Sequence, residues 1–261
     1  MRFAGKVALV TGAGSGIGKA AALRLAAEGC AVGVLTHGAN DAEAVAEDIR
    51  AQGGRALPLV ADVGDETQMK TAIDDLVREF RGLDFLFANA GINGVWAPID
   101  EIAPDEWDRT IATNLRGTYL TLHYGVPHLK AKGGGAIVIT ASVNGTRIFS
   151  NAGATAYSCT KAAQVAICKM QALELAQHRI RVNVVCPGKI DTAIESNTDR
   201  RNTEAAEEPV EFPEGKIPLT DDEAGTSDEV ADLVLFLLSD QARHITGTPV
   251  WIDGGESLLM G

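Results

Sequence analysis

The chain alternates short, almost wholly apolar runs with longer segments whose apolar positions recur every three or four residues. The runs are VALV (7–10), AVGVL (31–35), ALPLVADV (56–63), LDFLFANAG (83–91), GAIVITAS (135–142), IRVNVVCPG (180–188) and GTPVWIDGG (247–255). Such short continuous runs read as strands buried on both faces. Between them, 17–29, 40–52, 66–80, the stretch around 107–129, a segment opening on Tyr157, and 227–239 read as helices. Gly29 closes the first and Gly53-Gly54 the second. This alternation predicts an α/β fold: one doubly wound parallel sheet of about seven strands, flanked by helices and joined by right-handed crossovers. No repeat or linker divides the 261 residues, so residues 1–261 are expected to form a single domain.

One segment breaks the pattern. Residues 191–226 are long and irregular, with Pro209, Pro213 and Pro218. A loop of that length in a compact domain is functional or mobile. It is also where the charge sits. The chain carries a net −12, and from Asp191 to Glu229 there are 13 acidic residues against three basic ones, a balance of −10. With no basic patch, nucleic acid and anionic membrane surfaces are not expected partners.

The remaining composition narrows the class further. Hydrophobic residues make up 46% and charged residues 22%, a balance that builds a core needing neither disulfide nor metal. The longest strongly apolar stretch, LVLFLL (233–238), is far too short to span a bilayer. No charged-then-apolar leader precedes KVALVTG. Cys30, Cys159, Cys168 and Cys186 form no CxxC and read as free thiols in a reducing compartment, so a cytoplasmic location is expected. The five histidines, His37, His123, His128, His178 and His244, are too scattered for a metal site or a triad. Trp96, Trp107 and Trp251 read as packing residues, Trp96 being the one placed to reach a cleft after the fourth strand.

The first strand runs into VALVTGAGSGIGKAAA, which sets Gly12, Gly16 and Gly18 between strand and helix. Glycine lets backbone turn tightly and approach a ligand closely. The free N–H groups at the helix start then face an anion, and a dinucleotide pyrophosphate is the natural guest.

With Thr11 before it, TGAGSGIG resembles the turn of the short-chain dehydrogenase/reductase family, and further motifs follow in that family's order along essentially the whole chain. The resemblance implies a Rossmann fold that binds NAD or NADP. Gly12, Ser15, Gly16, Ile17 and Gly18 would form the phosphate turn. ADV (61–63) places Asp62 and Val63 at the adenine, and NAG (89–91) lays Asn89, Ala90 and Gly91 along the cofactor. PGKIDT (187–192) brings Pro187, Gly188, Ile190 and Thr192 to the nicotinamide side. NLRGTY supplies Asn114, TASVNG supplies Ser142, and YSCTK supplies Tyr157 and Lys161 as the remaining members of a catalytic set. Ser150 and Ser158 are weaker stand-ins for the serine. Ser142 and Tyr157 are 15 positions apart, slightly more than is usual in the family. The added length is expected in a loop beside the substrate.

Carbonyl reduction needs hydride at carbon and a proton at oxygen. The cofactor supplies the first, and the protein must supply an acid. A tyrosine is too weak an acid near neutrality unless a cation stands close, and Lys161 lies one helical turn from Tyr157. By resemblance, Lys161 also holds the nicotinamide ribose, and Asn114 holds a water linking Lys161 to solvent. Ser142 is placed to stabilise charge developing on the substrate oxygen.

The end of the second strand sets the cofactor. NAD sites commonly place an acid there; this chain has Thr36, then His37, with Asn40 and Asp41 within reach of the ribose. The missing acid tilts the sequence toward NADP, although no Lys or Arg follows and Ser15 stands where NADP members often carry Arg. The expected reaction interconverts a secondary alcohol, or a sugar or polyol hydroxyl, with a carbonyl. The loop at about 192–226 would cover the substrate, and its negative charge disfavours acidic substrates. A 3-oxoacyl-[acyl-carrier-protein] reductase is the alternative; it would need a basic docking face, for which Lys130, Lys132 and Arg179 are the candidates. A non-catalytic dinucleotide sensor is the second alternative. The resemblance also implies a homotetramer built on the helices around 105–130 and 157–177 and the C-terminal strand.

Overall fold

Seven apolar runs pair side by side in the computed structural model, which describes residues 1–192, 194, 198–208 and 217–259. The strands are β1 (Val7–Thr11), β2 (Ala31–Thr36), β3 (Arg55–Val60), β4 (Phe85–Ala88), β6 (Gly135–Thr140), β7 (Ile180–Pro187) and β9 (Pro249–Ile252). They form one sheet in the order β3-β2-β1-β4-β6-β7-β9, and every pair is parallel. The expected doubly wound Rossmann sheet is therefore present. Its chain order reverses between β1 and β4, the place where such sheets open a crevice at their carboxyl ends.

Alternation along each strand feeds two cores. Ala8, Val10, Val32 and Val34 point to the face covered by α1 (Gly16–Ala27), α2 (Ala39–Ala51) and α7 (Ser227–Leu238). Val7, Leu9, Ala31 and Leu35 point to the opposite face, covered by α3 (Glu66–Phe80), α5 (Gly117–Lys132) and α6 (Thr155–Ala176). Burial on both faces explains why the strands read as unbroken apolar runs. α6 starts two residues before Tyr157, close to the expected opening.

Three features differ from the sequence reading. The strands expected at 56–63 and 83–91 stop at Val60 and Ala88. Beyond Ala88 the Thr11 hydroxyl accepts the backbone N–H groups of Asn89 (3.0 Å) and Ala90 (3.1 Å), which draws the chain out of the ladder. The helix expected across 107–129 is instead α4 (Pro104–Thr110), a wider π turn at Ile111–Arg116, and α5. A small second sheet joins β5 (Gly94–Trp96) to β8 (Thr198–Arg200), with Trp96 opposite Arg200. Of the expected covering loop, residues 193, 195–197 and 209–216 lie outside the described residues.

Candidate active site

The carboxyl ends of the strands open into a cavity of about 750 Å³. It crosses the sheet from the ends of β2 and β3 to the ends of β6 and β7, and the glycine turn forms its floor. Gly12, Ser15, Gly16, Ile17, Thr36, His37, Asp62, Val63, Asn89, Ala90, Gly91, Pro187, Gly188, Ile190 and Thr192 all line it, as do Ser142, Tyr157 and Lys161.

The turn suits a dinucleotide. Gly12 and Gly16 have positive φ values of 66° and 51°, a region open to glycine and strained for other residues. A Cβ on Gly12 would lie 2.9 Å from Ala90 Cα. Ser15 takes the cap position of α1 without a side-chain cap, so the first N–H groups of the helix face the cavity. Gly18 is the exception: it does not line the cavity. A Cβ there would run into the Gly12 carbonyl and lie 2.7 Å from Asn89 Nδ2. Its role is to let helix and turn close on each other.

Ser142, Tyr157 and Lys161 meet at the far end. Ser142 is buried just after β6, and its Oγ accepts the Asn144 N–H at 3.1 Å. Ser150 and Ser158, the alternative serines, are not on the cavity wall. Lys161 Nζ donates to Thr140 O at 2.8 Å and lies 5.3 Å from the centre of the Tyr157 ring. The sequence led to the expectation that this cation lowers the pKa of the phenol. Burial acts in the opposite direction. Desolvation pushes Tyr157 up to about 12, with the hydrogen bond to Ser142 pulling the other way, and brings Lys161 down to about 8. Both charged forms are penalised in so dry a place, so Tyr157 is held as the neutral acid.

Asn114 stands behind the wall. It sits on the π turn, fully buried and off the cavity wall. Its amide spans one residue: Oδ1 accepts the Ile92 N–H at 2.8 Å, and Nδ2 donates to Ile92 O at 2.8 Å and to Thr160 Oγ1 at 3.2 Å. That leaves it a brace for the 91–93 turn. A Cβ on Gly91 would lie 3.3 Å from Asn114 Oδ1 and 3.5 Å from Lys161 Nζ, so Gly91 keeps the two residues close.

The loop made longer by the Ser142–Tyr157 spacing does border this end: Val143, Asn144, Ile148 and Asn151 line the cavity. Trp96 lines it too, with its ring centroid 6.4 Å from that of Tyr157. Sequence reasoning missed Asn93, Arg109, Lys189, Arg200 and Glu256 on the same wall. Lys189 lies inside PGKIDT at a position given no role there; the other four lie outside the motifs, and Arg200 arrives only through the long-range pairing of β8 with β5. At the opposite end Asp41 is on the wall beside Thr36; a Cβ on Gly14 would touch both.

This geometry meets its relatives in sequence. A family model described as Enoyl-(Acyl carrier protein) reductase matches residues 12–257. The chain belongs to the short-chain dehydrogenase/reductase family. It is an NAD(P)-dependent oxidoreductase acting on CH–OH donors. It is 39% identical to cyclohexanol dehydrogenase of Acinetobacter sp. (strain SE19) over 97% of this chain and 95% of that protein. Among solved structures it is similar to a 3-ketoacyl-ACP reductase from Sinorhizobium meliloti 1021, with a TM-score of 0.92 and 58% identity over 97% of this chain and 99% of the other. A 3-ketoacyl-(acyl-carrier-protein) reductase from Brucella melitensis, solved with NADH, gives a TM-score of 0.86 and 32% identity over 98% and 99%. A short-chain dehydrogenase from Burkholderia cenocepacia J2315, solved with NADP, gives 0.85 and 35% over 98% and 99%. No helix among the described residues is long and apolar enough to cross a membrane, and no group of potential metal ligands gathers among them.

Proposed function

We propose that the protein interconverts a small secondary alcohol and its ketone with Tyr157 as the proton donor and acceptor. The observation that carries this reading is the meeting of Ser142, Tyr157 and Lys161 at one end of a cavity whose floor is the glycine turn. Bound NAD(P) supplies hydride for reduction and accepts it in oxidation. Tyr157, neutral through burial, gives its proton to the carbonyl oxygen during reduction and takes it back during oxidation. Ser142 hydrogen-bonds that oxygen and stabilises its developing charge. Lys161, tied to Thr140 O, holds positive charge beneath the phenol and presents its remaining donors to the cofactor ribose. Asn114 keeps the 91–93 turn in place. Tyr157→Phe is the direct test: turnover is expected to fall ~100-fold or more while the fluorescence titration with reduced cofactor is unchanged. Unchanged turnover would sink the assignment.

The cavity alters the cofactor reading. At the adenosine end Asp41, Asp62 and His37 are on the wall, and no Lys or Arg joins them. Asp41 folds back over the start of α2, where a Cβ on Gly38 would lie 2.6 Å from its Oδ2. A carboxylate there repels a 2′-phosphate and can accept from ribose hydroxyls. This supports NAD as the preferred cofactor, in place of the NADP that Thr36 alone favours.

The similarity to 3-ketoacyl-ACP reductases supports the carrier-protein reductase as a second reading with the same chemistry. Lys130, Lys132 and Arg179 do not serve it: they sit where α5 ends and β7 begins, at the opposite edge of the sheet from the cavity. Side-by-side rates on acetoacetyl carrier protein and on free ketones separate the two readings. Exposed Tyr119 on α5, with Met170 and Leu173 on α6, supports a homotetramer packed on those helices. The four free cysteines support a reducing, cytoplasmic setting.

A further inference from the structure

Besides Lys161, three cationic residues line the cavity: Arg109, Lys189 and Arg200. The carboxylates on the wall are Asp41, Asp62 and Glu256, and Glu256 accepts the Lys189 backbone N–H at 3.1 Å. Arg200 is exposed, with one side of its guanidinium against an aromatic ring. The β5–β8 register sets it opposite Trp96, and its guanidinium carbon lies over the indole, 4.4 Å from the ring centre. Trp96 is itself buried against Tyr157. Arg200 is thus separated from the phenol by a single aromatic ring.

A guanidinium seated on an indole keeps its N–H edge available for a planar anion. Among the described residues neither Arg109 nor Arg200 forms an ion pair. The neighbouring Arg201 contrasts with them: it is bound to Glu106 at 2.8 Å and to Glu101 O at 2.7 Å. The acidity of 191–229 therefore misleads about the cavity, because Arg200 is the residue of β8 that lines it.

We propose that this wall is an anion subsite and that the substrate is a small hydroxy acid or keto acid whose carboxylate pairs with Arg200 while its carbinol or carbonyl carbon lies at Ser142 and Tyr157. The inference rests on the alcohol–ketone reading above. The carboxylate takes no part in the bond changes. It fixes how far from Arg200 the reacting carbon is held, and a bidentate pair with an arginine holds orientation as well as distance.

The test is calorimetric titration of the enzyme–NAD+ complex, which has no hydride to give, with linear keto acids of graded length and with their methyl esters. One length of acid is expected to bind about tenfold or more tightly than its ester. Arg200→Gln should close that gap, while Arg243→Gln, an exposed site away from the cavity, should keep it. Thermal melts of both variants verify folding. Acids and esters binding equally at every length would overturn the subsite, as would a gap that persists in Arg200→Gln. Turnover of the same compounds separates the two claims. If ketones turn over with no preference for the acids, the subsite falls and the oxidoreductase reading stands. If acids bind through Arg200 but no ketone is reduced, the oxidoreductase reading falls and the subsite stands. A strong preference for carrier-bound 3-oxoacyl groups over every free acid would also overturn the proposal.

Discussion

Lys161 holds its ammonium 5.3 Å from the centre of the Tyr157 ring, and both side chains are buried. The two groups compete for a dry environment. Lys161 has a folded value of about 8 against an ordinary 10.5. A base lowered in this way destabilises the fold below about pH 8, where its charged form must be kept buried. Between about 8 and 10.5 the unfolded chain binds more protons than the folded one, so its contribution to stability rises with pH. Lys161→Met should therefore lose turnover by ~100-fold or more yet match or exceed wild-type stability at pH 7, by up to about 3 kcal/mol. The difference between the two proteins should narrow from pH 8 to 10.5. Thermal melts at both ends of that window check it. A methionine variant that melts well below wild type at pH 7 would show that the ammonium stabilises the fold.

What the sequence disclosed follows from the range of the forces involved. Strands buried on both faces need continuous apolar runs, so the seven-stranded sheet was legible from single segments. The Tyr157–Lys161 pair was legible because helical spacing is local. The β5–β8 sheet was not: each strand is three residues long, and Trp96 and Arg200 are brought together by the path of the whole chain. Asp41 was visible only as one of two polar residues near the ribose, because its orientation depends on how α2 leaves Gly38. The acidity constants were hidden for a related reason. Spacing gives the distance from Lys161 to Tyr157, whereas desolvation depends on everything packed around them.

Asn114 gives a prediction about the brace. Its amide supplies both partners of Ile92 and is fully buried. Removing it leaves the part-buried N–H and C=O of Ile92 without these partners, at up to about 1–3 kcal/mol each. Asn114→Ala should lower stability by ~2 kcal/mol or more in urea unfolding, and catalysis should fall with it as the 91–93 turn loosens beside Lys161. Full stability in that variant would mean that Ile92 finds other partners.

Gly18 separates packing from contact. A Cβ there meets the Gly12 carbonyl inside the turn rather than anything in the cavity. Gly18→Ala should weaken reduced-cofactor binding by ~10-fold or more and lower the melting temperature in the same variant, because the helix start must shift away from the turn. A binding loss with an unchanged melting temperature would place Gly18 at the cofactor instead.

Asp41 makes the cofactor preference testable by a single charge. Its carboxylate shares the adenosine end of the cavity with Asp62, whose Oδ1 already accepts the Gly64 N–H at 2.8 Å. Asp41 is thus the freer of the two acids to meet a ribose. A phosphate on that ribose would stand beside a like charge with no Lys or Arg on the wall to offset it. Wild type should bind NADH more tightly than NADPH, by about tenfold or more. Asp41→Asn removes the repulsion but keeps the size of the side chain. It should tighten NADPH by ~10-fold while changing NADH by less than about threefold, and raising the salt concentration should shrink the wild-type discrimination. Fluorescence titration with each cofactor reads both numbers without any substrate. Equal affinities in wild type would return the preference to Thr36 and His37, and an unchanged ratio in Asp41→Asn would place the discrimination elsewhere on the wall.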